Sequence, residues 1–228
     1  MIPLNLYGSI LSPPTRSVIE FCKLSKINFN FININAKQGD HKTPEYKKLN
    51  PFCKFPVIVH NGFNVWESPS IVVYLADTYN INTNWYPKDI KIRARINSYL
   101  HWHHENVRSP LAGYVRGKVL GPVFYAYPEL DEENDKKLKD KMISCIRELS
   151  DIIDDNGFVA RTEKLSIADV FAFNEIFNTK FVKFALDEYP KLNSWFKGIE
   201  EIAEIKDTND GIIEGFYKFA DSIKNKDK

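Results

Sequence analysis

The sequence contains few cysteines and no excess of charge of either sign. Its 228 residues include only three cysteines, Cys22, Cys53 and Cys145, an odd number at scattered positions. This pattern does not suit a disulfide framework and favours reduced thiols inside the cell. Lysine plus arginine (31) and aspartate plus glutamate (30) nearly cancel, which leaves a formal net charge of +1. We therefore expect neither nucleic acid nor an anionic membrane as the main partner, because both attract strongly basic surfaces.

Long apolar runs and a secretory leader are also missing. No stretch approaches the roughly 20 apolar residues that a membrane-spanning helix needs. Residues 1–10 lack the basic start and apolar centre of a signal peptide and alternate instead like a β-strand. Hydrophobic residues make up 43% of the chain and charged residues 27%, an ordinary globular balance. We expect a cytoplasmic protein with either one large domain or two small ones.

The first 80 residues alternate between strand and helix patterns. Alternating apolar and polar residues predict strands at residues 2–7 and 28–34, and two further strands, at residues 56–60 and 63–66, are predicted on either side of a turn. Helical spacing and capping signals predict three helices, at residues 16–24, 43–49 and 68–79. Asn61-Gly62 joins the last two strands and is typical of a tight hairpin, because a type I′ turn needs positive φ at both residues. The predicted order is β-α-β-α-β-β-α.

After this region no strand pattern recurs. Residues 80–89 are rich in Asn, contain a proline and are interpreted as a linker. The later apolar periodicity predicts helices at residues 92–107, 138–153, 167–177, 192–202 and 212–223. We predict two domains, an α/β domain over residues 1–80 and an all-helical domain over residues 89–228.

A local signal marks the start of the predicted helix at residues 167–177. Ser166 and Asp169 have the spacing of a capping box. In that arrangement Ser166 accepts a hydrogen bond from the Asp169 amide, and the Asp169 side chain bonds the Ser166 amide. Leu165 and Val170 occupy the positions of a hydrophobic staple. We interpret the motif as structural.

The chemistry of the first domain is expected where its first strand leads into its first helix. The β-α-β-α-β-β-α order of elements, with Pro56 at the start of the third strand, resembles the thioredoxin fold, whose redox members carry Cys-x-x-Cys at that junction. Here Ser12 and Thr15 have the same spacing, so dithiol exchange at this place is excluded. A hydroxyl at a helix amino terminus can still donate a hydrogen bond to a ligand's thiolate, and the helix dipole favours the negative charge.

Together these features resemble the cytosolic glutathione transferases over nearly the whole chain. The resemblance rests on four motifs in order: Ser12-Pro13-Pro14-Thr15-Arg16, Lys54-Phe55-Pro56-Val57, Glu67-Ser68 and Ser166-Ile167-Ala168-Asp169. Arg93-Ala94-Arg95-Ile96, Tyr99-Leu100-x-Trp102 and Arg108 are similar to the theta-like branch, which uses a serine. The resemblance implies a thioredoxin-like glutathione-binding domain, an all-α domain that contributes the electrophile pocket, and a homodimer. It implies glutathione as co-substrate and no other cofactor or metal.

Ser12 is our candidate for stabilising the glutathione thiolate. Lowering a thiol pKa of about 8.5 by about 2 units takes about 2.7 kcal/mol. A charge-assisted hydrogen bond supplies roughly 1.5–3 kcal/mol, and a helix amino terminus adds roughly 0.3–1 kcal/mol. By resemblance, Arg108 would lie near the sulfur and favour the thiolate through its charge. Tyr7 is the alternative, since other branches use a tyrosine hydroxyl near the end of the first strand.

The γ-glutamyl end of glutathione is expected at the third predicted helix. Ser68 at the N-cap, followed by Pro69 at the first helical position, would bind the α-carboxylate at the helix amino terminus. Glu67 would attract the α-amino group.

The rest of the tripeptide is expected beside the third strand. Phe55 precedes Pro56, which resembles the family's cis-proline, and this would leave the Phe55 amide and carbonyl free at a sheet edge to pair with the cysteinyl backbone. By resemblance, Lys54 and His41 would lie near the glycyl carboxylate.

The function that the resemblance implies is conjugation of glutathione to small electrophiles in detoxification, with reduction of organic hydroperoxides as a second activity. The alternative is a non-catalytic carrier of glutathione or apolar ligands, or a protein-assembly module of the same fold. Cys53 leaves a thiol oxidoreductase open as a further alternative. His101 and His104 share a helix face, but no third ligand is signalled, so no metal is expected. Glu105 would reach toward a partner subunit's glutathione.

Overall fold

The computed structural model describes residues 4–125 and 127–224 and separates the chain into two compact units. The first unit combines the chain up to His101 with Ala160–Asn174, and the second combines Trp102–Val159 with the chain from Glu175 onward. The domain limits of 1–80 and 89–228 stay a prediction. Within the described ranges, no helix is both long and apolar enough to cross a membrane.

A four-stranded sheet forms the centre of the first unit within the described part of the chain. Its strands are β1 (Leu4–Gly8), β2 (Phe29–Asn33), β3 (Val57–His60) and β4 (Phe63–Trp66), in the order β2-β1-β3-β4. Strand β1 runs parallel to β2, whereas β3 runs antiparallel to both β1 and β4. The four predicted strands are confirmed to within a few residues, although residues 2 and 3 of the first lie outside the described range.

The helices of the first unit follow the predicted order. They are α1 (Pro13–Leu24), α2 (Pro44–Leu49), α3 (Ser68–Thr78) and the start of α4 (Ile90–His103), with a short 3-10 turn at Asp40–Lys42. Helix α2 is capped as expected, since the Thr43 hydroxyl accepts a hydrogen bond from the Tyr46 amide at 3.2 Å. The hairpin turn is also confirmed, because Asn61 and Gly62 have φ angles of 53° and 79°.

The rest of the chain is helical. After α4 come α5 (Ser109–Val115), α6 (Gly121–Tyr125), α7 (Glu132–Asn156), α8 (Ile167–Phe177), α9 (Pro190–Glu200), α10 (Ala203–Asn209) and α11 (Ile212–Lys224). Within the described residues no strand follows β4, as predicted. Helix α7 begins six residues before its predicted start because the Asp131 side chain accepts a hydrogen bond from the Asn134 amide at 2.8 Å.

The predicted single helix at residues 92–107 was wrong at its end. Helix α4 stops at His103, and two wide π-helical turns, at His104–Arg108 and Arg116–Leu120, interrupt the path of the chain. Each wide turn comes directly before the first turn of a helix that contains a proline, Pro110 or Pro122. A proline has no amide hydrogen and its ring clashes with the carbonyl four residues earlier, which favours a wider turn at that point.

The capping-box residues at the start of α8 bond each other, and one of the two predicted hydrogen bonds is confirmed. The Ser166 amide donates to the Asp169 carboxylate at 2.9 Å, as predicted. The Ser166 hydroxyl donates to the same carboxylate at 3.1 Å, and the Asp169 amide bonds the Ser166 carbonyl at 3.0 Å. Both residues are fully buried, where a polar group is stable only when it is hydrogen-bonded.

Candidate active site

One row of paired residues fixes the geometry of the site. Tyr7 on β1 pairs with Val57 on β3, and Val57 pairs with Trp66 on β4. Because β3 is antiparallel to its two neighbours, the row brings the carboxyl ends of β1 and β4 beside the amino end of β3. The chain segments that leave or enter the sheet at this row therefore share one end of the sheet.

Four of the predicted site residues lie on those segments. Ser12 lies five residues beyond Tyr7, Phe55 two residues before the start of β3, and Glu67 and Ser68 directly after β4. The sheet thus brings together, at one end, Ser12 as the candidate hydrogen-bond donor to the thiolate and three candidate glutathione-binding residues.

Ser12 is the N-cap of α1, but its hydroxyl does not cap the helix. Its backbone has extended angles (φ −90°, ψ 118°), and its side chain makes no capping hydrogen bond. The first helical hydrogen bond runs from the Arg16 amide to the Ser12 carbonyl at 3.1 Å, and the Ser12 amide donates to the Ser9 carbonyl at 2.9 Å. The half-buried hydroxyl is consequently available to a ligand at the positive end of a 12-residue helix.

Tyr7 carries the alternative hydroxyl, and its side chain packs against the interior of the first unit. It packs, together with Phe55 and Trp66, against a buried cluster that contains Ile34 and Val57. On β1 it occupies a half-buried position between the buried Leu6 and Gly8. Tyr7 stays an alternative to Ser12 as the hydrogen-bond donor to the thiolate.

Phe55 and His41 lie against each other. Their ring centroids are 5.8 Å apart in an edge-to-face arrangement, and the Phe55–Pro56 peptide bond is cis, as the resemblance implied. Within the described structure the Phe55 amide and carbonyl bond no other backbone group, so they can pair with a ligand. The expectation of a sheet edge was wrong, because Phe55 precedes β3, an inner strand between β1 and β4.

His41 presents a ring nitrogen without a partner. Among the described residues no group hydrogen-bonds its buried Nδ1 atom. Burial lowers the pKa of His41, the neighbouring Lys42 lowers it further, and Asp40 opposes the change. The imidazole is therefore mostly neutral at pH 7 and offers hydrogen bonds and little charge.

Lys54 has a fixed backbone and an exposed side chain. Its carbonyl accepts hydrogen bonds from the Tyr46 hydroxyl at 3.1 Å and from the Asn50 side chain at 2.8 Å. The preceding Cys53 has a φ of 54°, which turns the chain sharply before Lys54. The ammonium group thus extends from an anchored segment next to Phe55.

The start of α3 differs by one residue from the prediction. Glu67 is the N-cap, Ser68 the first helical residue and Pro69 the second, because the Glu67 carbonyl accepts the first helical bond from the Ile71 amide at 2.9 Å. Glu67 has φ 64° and ψ 110°, an unfavourable conformation for a residue with a side chain. Ser68 is buried, and the amino terminus of α3 still offers unpaired amides to an anion.

Arg108 lies in the first wide turn of the second unit. Its Nη1 atom donates to Glu175 Oε1 at 2.6 Å, and the Glu175 side chain is only 2% exposed. The carboxylate offsets part of the positive charge of the guanidinium. The predicted approach of Arg108 to the sulfur stays a prediction.

Two family models match the chain. They are described as "Glutathione S-transferase, N-terminal domain", over residues 2–77, and "Glutathione S-transferase, C-terminal domain", over residues 115–207. The rat protein glutathione S-transferase theta-2 is 30% identical over 199 residues, which cover 86% of this chain and 80% of the relative. The chain belongs to the glutathione S-transferase family.

Solved structures of theta-class glutathione transferases share the fold. Human glutathione transferase theta-2, in complex with glutathione and an unknown ligand, aligns with a TM-score of 0.87 at 26% identity and covers 96% of this chain and 91% of its own. Human glutathione S-transferase T1-1 in its apo form aligns with a TM-score of 0.85 at 28% identity, with the same coverage. The expected thioredoxin-like domain with a mostly helical second part is confirmed, and so is the theta-like resemblance.

The spacing of His101 and His104 on one predicted helix raises the question of a metal site in this transferase. Within residues 4–125 and 127–224, no three His, Cys, Asp or Glu side chains are arranged to hold a metal ion. His101 and His104 are exposed. His103 between them is buried, and burial, reinforced by Arg108 and His104, lowers its pKa from 6.5 to about 3.

Sequence reasoning missed two residues that shape the site of this transferase. Gly8 ends β1 so close to α1 that a Cβ atom there would lie 2.4 Å from Thr15 Cγ2. Asn174 is a fully buried polar residue within α8 and bonds the side chain of Arg16. Two features of the sequence could have indicated these residues. One is a glycine four residues before Ser12, and the other is an asparagine among the apolar residues of a helix.

Proposed function

We propose that this transferase conjugates glutathione to small electrophiles while the Ser12 hydroxyl donates a hydrogen bond to the glutathione thiolate. The thiolate attacks an electrophilic carbon, the carbon–sulfur bond forms, and the leaving group departs with its bonding electrons. The thiol proton is released to solvent beforehand. The reaction needs no resident cofactor, because the thiolate is itself the nucleophile.

The observation that carries this proposal is the unused hydroxyl of Ser12 at the amino terminus of α1. The hydrogen bond and the helix dipole favour the anionic sulfur over the neutral thiol. Arg108 is proposed to add a smaller electrostatic contribution, since Glu175 already offsets its charge.

The remaining groups at this end of the sheet complement the tripeptide. We assign the γ-glutamyl carboxylate to the α3 amino terminus at Ser68 and the α-amino group to Glu67. The cysteinyl backbone pairs with the Phe55 amide and carbonyl, which bond no other backbone group among the described residues. The glycyl carboxylate is assigned to Lys54, with His41 as a neutral hydrogen-bonding group.

The test is the ultraviolet absorbance of bound glutathione thiolate as a function of pH. We expect Ser12→Ala to raise the pKa of the bound thiol by about 2 units toward that of the free thiol, and Tyr7→Phe to leave it near the wild-type value. Ser9→Ala, a matched substitution in the same loop, serves as control. A raised pKa in Tyr7→Phe with a wild-type value in Ser12→Ala would assign the role to Tyr7.

Turnover separates the enzyme from a carrier or assembly module of the same fold. We expect wild-type protein to conjugate a generic aryl halide, and Ser12→Ala to lose most of that activity at neutral pH. Retention on immobilised glutathione without turnover on any electrophile would favour the carrier. A second activity is proposed on the same thiolate: attack on an organic hydroperoxide, whose reduction to alcohol and water oxidises two glutathione molecules to the disulfide.

We also propose a homodimer that includes the first unit. A groove in this unit is lined by residues of α3 and α4, among them Pro69, Val73, Tyr74, Leu100 and His101. Phe63, which is 58% exposed, lies beside Tyr74 with ring centroids 5.6 Å apart. An exposed aromatic residue next to an open groove suits a self-complementary interface. Sedimentation of the wild type and of Phe63→Glu tests this proposal, and a monomeric wild type would contradict it.

A cytoplasmic role in detoxification is proposed as well. Cys22, Cys53 and Cys145 are free thiols, which suits a reducing compartment. A tagged chain found in another compartment would contradict the location.

A further inference from the structure

A buried polar cluster lies directly beneath the loop that carries Ser12. The Arg16 side chain is completely buried, and its guanidinium Nη1 atom donates to the Ile10 carbonyl at 2.9 Å. On its other side, Nε donates to Asn174 Oδ1 at 2.8 Å and Nη2 donates to the Asn174 carbonyl at 3.1 Å. One planar group therefore connects the loop between β1 and α1 to helix α8.

Asn174 is itself held by further buried partners. Its side-chain nitrogen donates to Glu20 Oε2 at 2.5 Å, to Ser17 Oγ at 3.2 Å and to the Val170 carbonyl at 3.1 Å. Glu20, Ser17 and Asn174 are at most 1% exposed. The acceptor that faces Arg16 is consequently fixed in place by both α1 and α8.

The bond to Ile10 restricts the loop because it involves a buried charge. Ile10 lies inside the turn that the Ser12 amide closes on the Ser9 carbonyl at 2.9 Å. If the turn moved, Arg16 would lose a hydrogen-bonding partner in the protein interior, where an unsatisfied charged group is costly. The rigid guanidinium fork also fixes the direction of the bond, which a flexible ammonium group would not do.

We propose that Arg16 is a positioning residue for the transfer reaction, which holds the Ile10 carbonyl and thereby places the Ser12 hydroxyl where it meets the glutathione sulfur. Because its side chain is completely buried, Arg16 can reach a substrate only through the loop. This inference rests on the proposed role of Ser12.

The test compares Arg16→Lys with wild type by titrating the absorbance of the bound thiolate. Lysine keeps the charge but presents a single donor group, which cannot reach the Ile10 carbonyl and the Asn174 acceptors in the same geometry. We expect the pKa of the bound thiol to rise by about 0.5–1 unit, which lowers the thiolate fraction at acidic pH by three- to ten-fold. The affinity for S-methylglutathione, which has no thiol to ionise, should stay within two-fold of wild type.

Val18→Ala is the matched control for lost stability. Val18 is completely buried on the same helix and belongs to no polar contact of the cluster. This variant should melt at a lower temperature and keep the wild-type pKa of the bound thiol. A pKa that rises equally in Val18→Ala and Arg16→Lys would reduce Arg16 to a stabilising residue and overturn the inference.

A double-mutant cycle separates this inference from the role of Ser12. If Arg16 acts through Ser12, Arg16→Lys should add little to the effect of Ser12→Ala on the thiol pKa. Fully additive effects would overturn the inference, and so would a wild-type pKa in Arg16→Lys when Ser12→Ala raises it. A wild-type pKa in Ser12→Ala would instead overturn the proposed function.

Asn174→Ser decides the question if Arg16→Lys does not fold. Serine removes the Oδ1 acceptor of Arg16 Nε and keeps the backbone acceptor of Nη2. We expect a smaller rise of the thiol pKa in the same direction. An unchanged pKa in folded Asn174→Ser would then overturn the inference.

Discussion

The Gly8 backbone lies directly against the side chain of Thr15: a Cβ atom on Gly8 would lie 2.4 Å from Thr15 Cγ2 and 2.7 Å from Thr15 Oγ1. Thr15 is completely buried, and among the described residues no group hydrogen-bonds its hydroxyl. The absence of a side chain at Gly8 therefore lets the start of α1, and with it Ser12, lie close to the end of β1.

Gly8→Ala should destabilise the protein because the added methyl group overlaps a buried, β-branched side chain. We expect a loss of about 1–3 kcal/mol in the free energy of unfolding, measured by urea denaturation. Gly8→Ala combined with Thr15→Ala should recover most of the loss, since both overlapping atoms are then gone. Gly198→Ala is the control: nothing lies within 4 Å of its added Cβ, and an alanine within α9 should leave stability unchanged or raise it. A neutral Gly8→Ala would show that the two elements separate easily.

Local patterns predicted much of this fold. The limits of α8 at Ile167 and Phe177 follow from apolar periodicity, and the turn at Asn61-Gly62 follows from backbone preference. Both are properties of a few neighbouring residues. In contrast, the left-handed conformation of Glu67 and the burial of Asn174 depend on segments far along the chain, so the sequence pattern of either residue did not reveal them.

Lys54→Met should weaken glutathione binding without affecting the chemical step. The lost interaction is an ion pair at an exposed position, for which about 0.2–1 kcal/mol corresponds to a rise of about 1.4- to 5-fold in the KM for glutathione. The difference between wild type and variant should shrink at high ionic strength, because salt screens exposed pairs. Lys47→Met, which removes another exposed lysine on α2, should leave KM unchanged. The same KM for glutathione in Lys54→Met and Lys47→Met would argue against the assignment of Lys54 to the glycyl carboxylate.

His103 should make the protein sensitive to acid. Its pKa is lowered from 6.5 to about 3 by burial first and then by Arg108 and His104. The unfolded chain therefore binds this proton before the folded chain does, and stability falls as the pH drops from 6.5 toward 3. The expected loss is at most about 1.4 kcal/mol per pH unit.

The measurement is urea denaturation of wild type and His103→Gln at pH 7 and pH 5. We expect His103→Gln to be less stable than wild type at pH 7 but to lose less stability on acidification. His101→Gln is the control, because His101 is exposed and its removal should leave the pH dependence of wild type intact. Parallel pH curves for wild type and His103→Gln would contradict the buried, neutral state of His103.

Arg108→Leu should affect stability more than thiolate formation. Glu175 is 2% exposed and accepts a 2.6 Å hydrogen bond from Arg108, so loss of the guanidinium leaves this carboxylate more poorly satisfied. We expect a decrease of about 1–3 kcal/mol in the free energy of unfolding. Glu175→Gln in the Arg108→Leu background should recover part of it, because a neutral amide is cheaper to bury than a carboxylate. Lys206→Leu, which removes one partner of the exposed Lys206–Glu201 pair, should change stability little.

The same Arg108→Leu variant measures how much this arginine contributes to the thiolate. Because Glu175 offsets the guanidinium charge, the pKa of the bound thiol should rise by less than it does in Ser12→Ala. Arg108→Lys keeps the charge and should lie between wild type and Arg108→Leu in both stability and thiol pKa. If Arg108→Leu raises the thiol pKa as far as Ser12→Ala does, the guanidinium charge reaches the sulfur despite Glu175, and Arg108 then ranks with Ser12 in forming the nucleophile.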